Sequence, residues 1–153
     1  MSAIYDPSKY IFSAGDVPCL GGYGADSFIR ISFQNDLAGV KKGLDGEAQF
    51  FISRDDSAII TITLLATADY NGYLTSQFYL QRARLSTPEL LPIHIEDLGG
   101  RLVASSAEAL IQKPPEKTVD KEGADLEWNF ICGKLDISYY GGGVTSLPDG
   151  VRI

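Results

Sequence analysis

Few residues of this chain have the types and spacing that chemistry needs. His94 is the only histidine. Alternation along Leu91, Ile93 and Ile95 sets it beside Glu96 on the polar side of a strand, where a solvated histidine is expected and not a general base. No nucleophile-elbow pattern offers it a partner. Asp55-Asp56 and Glu96-Asp97 are adjacent carboxylates. Neighbours on a strand point to opposite faces, so neither pair suits shared acid–base work, and both are expected in turns. Gly141-Gly142-Gly143 and Gly21-Gly22-Tyr23-Gly24 lack the Lys-Ser/Thr and the following helix of a phosphate cradle. Cys19 and Cys132 have neither Cys-x-x-Cys spacing nor histidine neighbours, which argues against zinc and thioredoxin-like exchange. Lys41-Lys42 is too small a basic patch for nucleic acid and fits rim contacts to an acidic partner surface. Phe28, Phe50, Phe51, Tyr73, Tyr79, Tyr139 and Tyr140 are expected mostly in the core; exposure of Phe51 or of Tyr139–Tyr140 would mark a protein interface. The residues therefore name no catalytic, cofactor or metal site, and the chain is expected not to be an enzyme.

What the sequence does specify is strands. From Leu126 to Cys132 the apolar residues are Leu126, Trp128 and Phe130; after Gly133 they are Leu135 and Ile137. The apolar parity has switched, which places a bulge or bend at Cys132-Gly133, where one strand leaves a sheet and continues in another. Small barrels and orthogonal sandwiches turn their corners this way. Tyr10 to Ser13 and Val17 to Leu20 read as a hairpin around Ala14-Gly15-Asp16, ended by the Gly21–Gly24 turn. Ser27 to Phe33 alternates, a loop runs from Asn35 to Gly46, and Ala48, Phe50 and Ile52 resume the inward pattern. Ile59 to Leu65 is apolar on both faces, as in a central covered strand. Tyr70, Leu74, Phe78 and Leu85 form one stripe of a helix over 69–85, with Asp69 or Asn71 as N-cap, Arg82 and Arg84 in the last turn and Pro88 beyond. Leu91 to Ile95 and Leu102 to Ile111 return to strands, the latter with Val103, Ala107, Ala109 and Ile111 inward. The order is mostly β (α+β): a β-sandwich or small β-barrel with one helix packed on it.

The chain has 153 residues, enough for one domain with a real core. Hydrophobic residues make up 44% and charged residues 22%, ordinary values for a globular chain, and no apolar run reaches the ~20 residues of a membrane span. Met1 to Asp6 has neither a basic nor an apolar leader region, so no signal peptide is read, and a Cys19–Cys132 bridge is not expected. The formal charge of -7 makes a poor phosphate binder. That charge is either generic solubility or a surface past which DNA slides without sticking, and charge alone does not choose.

With these residues in place, a family resemblance is visible. Ala109-Leu110-Ile111-Gln112-Lys113-Pro114-Pro115, a polar turn, then Glu127 through Asp136 around Trp128 is similar to the C-terminal half of small structural proteins of contractile-tailed phages. Tyr10 to Phe33 fits the same family. The order of elements resembles the phage tail tube fold, which the haemolysin-coregulated tube protein of type VI secretion shares. The arm after Gly143 has no counterpart in the family pattern, and the Asn35–Gly46 loop is shorter than some members carry. The resemblance implies a single tail-tube domain over 1–153 that assembles as stacked hexameric rings around a channel for DNA ejection. An N-terminal arm (1–9), a stacking loop (35–46) and a C-terminal arm (139–153) would bridge rings. Contact candidates are Asp36, Lys41, Lys42, Asp45, Tyr139 and Tyr140; lumen-lining candidates are Arg30, Ser32, Gln49, Ser53, Thr61 and Thr63, around a lumen expected to be acidic. Implied partners are further copies, the tail sheath, baseplate and tail terminator proteins. Tape measure protein and DNA would pass through unbound, with no cofactor and no membrane. The place implied is the virion, after assembly in host cytoplasm. Alternatives are the tube of a type VI-like or bacteriocin-like device and a small ligand-binding β-barrel; large inward Phe33, Phe50, Trp128 and Phe130 argue against the last.

Overall fold

The structure, a computed structural model, describes residues 9–24, 28–87, 89–97 and 102–139. Tyr140, Gly141 to Gly143, Pro88, the glycines of the Asp97–Gly100 turn, most of the N-terminal arm and the C-terminal arm beyond Tyr139 lie outside them. In chain order the elements are β1 (Tyr10–Ala14), β2 (Val17–Pro18), β3 (Ile29–Phe33), β4 (Ala38–Lys42), β5 (Ala48–Ile52), β6 (Ala58–Leu64), α1 (Tyr70–Ala83), β7 (Ile93–Asp97), β8 (Leu102–Ser106), β9 (Ala109–Lys113), β10 (Leu126–Cys132) and β11 (Asp136–Ile137).

They form a five-stranded sheet, β11-β8-β7-β1-β2, a four-stranded sheet, β3-β6-β10-β9, and the separate pair β4-β5. The β1–β2 hairpin has two loop residues, and Gly15 and Asp16 both have positive φ, 60° and 67°. That is the mirror-image turn whose twist suits two antiparallel strands, and glycine and aspartate tolerate it. β2 stops at Pro18, shorter than its alternation predicts.

The parity switch at Cys132-Gly133 is a sheet crossing. β10 pairs with β6 and β9 in one sheet, and β11 pairs with β8 in the other. Beside it the chain crosses a second time. The stretch Leu102 to Ile111, expected as one strand, breaks after Ser106 into β8 and β9, one in each sheet. The Ser106 hydroxyl holds this corner, donating to the Lys134 carbonyl at 2.6 Å and accepting from the Glu108 N–H at 3.3 Å. Ala107 at the break is exposed, not inward, while Ala109 and Ile111 are buried. The two sheets lie face to face and do not close into a barrel, so the architecture is the sandwich.

Between them Phe12, Ile60, Ile62, Leu64, Ile93, Ile95, Trp128 and Phe130 make one core. The Phe12 and Phe130 rings sit 5.3 Å apart. β6 is central, as its β-branched run predicts, but it is covered on one face and not on both. Ala58, Ile60, Ile62 and Leu64 are buried, while on the other face Ile59 and Thr63 are half-buried and Thr61 is buried. Helix α1 buries Tyr70 and Leu74 and half-buries Phe78, but ends before Leu85, which is 75% exposed. Asp69 makes no side-chain cap bond. Asn71 lies inside the helix, donating to the Leu65 carbonyl at 2.9 Å and accepting from the Trp128 indole N–H at 3.0 Å. Tyr70 and Tyr73 tie the helix to the β1–β2 turn. The Tyr70 hydroxyl accepts from the Ala14 N–H and donates to the Val17 carbonyl, and Tyr73 donates to the Ala14 carbonyl. Burial raises both phenols above their ordinary range, so they remain neutral donors.

Candidate functional site

The features left unsatisfied by this fold are backbone edges and apolar surface, not titratable clusters. Among the described residues no group of three His, Cys, Asp or Glu side chains could hold a metal ion. His94 is half-buried, carried on β7 between Ser13 of β1 and Ser105 of β8. Cys19 and Cys132 are buried free thiols, their pKa raised by desolvation; a small buried apolar side chain is how a structural cysteine behaves.

The sheet edges differ from one another. In the five-stranded sheet both edge strands, β2 and β11, have two residues, and β2 carries Pro18, which has no N–H to offer. β3 in the other sheet is longer. Its ladder to β6 fixes which way each backbone group points: Thr63 N–H donates to the Phe28 carbonyl and Gln34 N–H to the Ser57 carbonyl. Residues two apart share a direction, so Arg30 and Ser32 also face β6, and the N–H and C=O groups of Ile29, Ile31 and Phe33 face outward. Among the described residues nothing pairs with them. The opposite edge, β9, is occupied. Its Ala109 carbonyl accepts from the Leu91 N–H, and Ile111 exchanges two hydrogen bonds with the Gln81 side chain of α1.

On the outer face of this sheet the register gathers four of the six lumen candidates: Arg30, Ser32, Thr61 and Thr63. Glu127, Asn129 and Lys113 share that face. Thr61 donates to Asn129 at 2.7 Å, and Arg30 meets Glu127 at 3.6 Å with both side chains more than half exposed, a pair worth ~0–1 kcal/mol. The charged residues that the strands put here are Arg30, Lys113 and Glu127, so the face itself is not acidic. Gln49 and Ser53 belong instead to the β4–β5 pair and its base.

That pair was expected as a loop followed by an inward strand. It is a hairpin, and every residue of β5 is exposed. Gly39 allows the Phe51 ring to lie across the strand, since a Cβ there would come within 2.2 Å of the ring. Ala38, Val40 and Lys42 pair with Ile52, Phe50 and Ala48, so Val40, Phe50 and Ile52 share one face, exposed by 51, 79 and 83%. Phe50 is thus not core, and neither are Phe51, Tyr79 and Tyr139. The inward parity of Ala48–Ile52 is real, but the described chain supplies nothing to cover it. Leu44 at the tip is fully exposed, beside Lys41, Lys42 and Asp45. Asp36 lies at the base.

A polar neck fixes the hairpin to the sheet. Asp55 accepts from the Ser57 hydroxyl at 2.7 Å, the Ser57 N–H at 3.2 Å and the Asn35 amide at 2.6 Å. The Ser57 side-chain and backbone bonds hold its carboxyl below the ordinary 3.8. The carboxylates of Asp55-Asp56 are therefore divided by task, with Asp55 bracing the neck. Neither the covered edge at Ile111 nor this neck was read from sequence: Gln81 and Asp55 are ordinary surface residues by type, and only their three-dimensional partners give them a role.

Chains of known contractile injection machines superpose on this fold. A chain of the anti-feeding prophage tube-terminating cap superposes with a TM-score of 0.57 at 15% identity, over 90% of this chain and 94% of that one. A chain of the sheath/tube terminator of the PVC extracellular contractile injection system gives 0.54 at 14%, covering 90% and 98%. One from the sheath–tube complex of that system gives 0.53 at 14%, covering 87% and 90%. No curated protein sequence matches. The fold is therefore that of tail tube and tube-cap proteins. The sequence pattern of the bacteriophage PhiTE tail tube protein family matches residues 11–140, and the chain belongs to that family.

Proposed function

We propose that the chain is the tube subunit of a contractile phage tail, closing hexameric rings that stack into the conduit for DNA ejection. The observation that carries this is the open β3 edge on a sheet of four antiparallel strands. Rotation about a ring axis preserves strand direction. With an even number of strands per copy, β9 of one subunit and β3 of the next therefore meet antiparallel, and the alternation continues around the ring. Such pairing removes the exposed edges that would otherwise recruit the wrong partner.

In this reading the outer face of the four-stranded sheet lines the lumen, with Arg30, Ser32, Thr61 and Thr63 on it. Its uncharged hydroxyls and paired Arg30–Glu127 give DNA phosphates little to hold, so passage depends on absent attraction more than on acidic repulsion. The hairpin carries Lys41, Lys42, Asp45 and the apolar Val40–Phe50–Ile52 face to the adjoining ring, with Asp36 at its base and Tyr139 leading into the C-terminal arm. Residues 1–153 act as one tube domain. Sheath, baseplate and terminator are the remaining tail partners, met in the host cytoplasm before the subunit becomes part of the virion.

Negative-stain imaging of purified protein tests this: rings or tubes roughly 80–100 Å across are expected from six domains of this size. Monomers alone, at high concentration and with baseplate present, would overturn it. Single rings that never lengthen would instead assign a terminating cap.

A further inference from the structure

Closing a ring through the four-stranded sheet needs two open edges, and β9 is not open. Ile111, like Ala109, points its backbone away from β10, because Leu110 and Ile131 form the inward pair between them. Its N–H donates to Gln81 Oε1 at 2.9 Å, and its carbonyl accepts from Gln81 Nε2 at 3.0 Å. A glutamine amide carries one acceptor and two donors on a planar group, so it offers Ile111 the same pair of contacts as a strand residue would. In the free subunit α1 thus supplies a counterfeit strand.

We propose that Gln81 is a removable edge cap that holds β9 shut in the free subunit and yields Ile111 to β3 of a second copy when rings close. This rests on the ring reading above. Two observations fit an exchangeable contact. The cap sits at the end of α1 that is least held down: the buried helix residues are Tyr70 and Leu74, near its start, while Tyr79, Leu80 and Arg82 beside Gln81 are exposed. The side chain can swing out without disturbing the core. Next, the outward groups of Ile29, Ile31 and Phe33 on β3 are the matching unpaired set, at the opposite edge of the same sheet. The Leu91 bond to Ala109 stays in place, and past the bulge Lys113 is paired with Asn129 of β10, so the new pairing on β9 is confined to Ile111. Two open edges on one soluble subunit would invite uncontrolled association, and capping one makes it conditional.

The test compares the full chain with Gln81→Ala, following amide exchange at Ile111 in free subunits and in tubes, and the lag of tube growth by light scattering. In free subunits the variant's Ile111 amide is expected to exchange roughly tenfold faster, the factor commanded by a neutral hydrogen bond. In tubes Ile111 is expected to be equally protected in both proteins, and the variant's lag to be shorter. The cap is overturned if Ile111 in variant tubes exchanges as fast as in variant subunits, for then Gln81 keeps its bonds inside the ring. An unchanged or longer lag overturns it too. Gln81→Leu, which removes both the acceptor and the donor while keeping bulk and helix propensity, is read the same way if the alanine variant does not fold. Wild-type tubes with either negative result would sink the cap alone; no wild-type rings at all would sink the ring reading with it.

Discussion

Trp128 shows how one side chain can join three elements. It is 3% exposed in β10, packs in the core, and donates its indole N–H to Asn71 of α1, which in turn holds the Leu65 carbonyl at the end of β6. Trp128→Ala should cost ~3–5 kcal/mol, measured by denaturant unfolding of the subunit. Trp128→Phe keeps most apolar area but leaves the Asn71 carbonyl oxygen short of a donor, so a loss of about 1–3 kcal/mol is expected. Asp55 makes a prediction in pH. Its folded pKa lies below the ordinary 3.8, so its hold on Ser57 and Asn35 is complete above that value and is lost as pH falls through the lower folded one. Protection of the Ser57 amide should therefore drop below the ordinary carboxylate range, and Asp55→Ala should show the same loss at neutral pH. Protection unchanged in strong acid would mean the carboxylate does not brace the neck. The role of Trp128 in the core was legible from its parity, because alternation is a local signal. The Asn71 and Ser57 partners were not, because a hydrogen bond across the fold leaves no periodic trace.

At the scale of elements, legibility followed whether the cause was local. The sheet crossing at Cys132-Gly133 could be read because the parity switch lies in the strand itself. The crossing at Ser106–Glu108 could not: Ser106, Ala107 and Glu108 include no glycine or proline, and the break is held by a hydroxyl bond to Lys134. The β4–β5 hairpin was half legible. Its second strand alternates as though buried, which describes a surface whose cover must come from outside the described residues. Exchanging Phe50→Ser together with Ile52→Ser should thus leave monomer stability within roughly 0.5 kcal/mol, as expected for surface positions. Rings should still form but should stack poorly, seen as single rings replacing tubes in micrographs. Lys41→Glu with Lys42→Glu should act in the same direction and respond to salt, since exposed charges are screened over about a Debye length. Full-length tubes from both variants would remove the hairpin from the stacking interface.

For the whole molecule the governing quantity is the set of backbone groups left facing outward. The five-stranded sheet is blunted at both ends by two-residue strands, and β9 is held by Leu91 and Gln81, which leaves β3 as the long edge open among the described residues. Ile31 lies at its centre with its N–H outward, so proline there removes no bond to β6; an edge strand accepts proline when its N–H faces solvent. Ile31→Pro does sacrifice packing of a half-buried side chain, and Ile31→Ala is the control that loses the side chain while keeping the N–H. If rings close through β3, the proline variant should stay monomeric in sedimentation at concentrations where the alanine variant assembles, although both lose similar stability. The difference is specific because the two substitutions share a packing defect and differ in one outward donor. Equal assembly by both would show that copies meet through some other surface, and the open edge would then need covering by chain beyond residues 9–139.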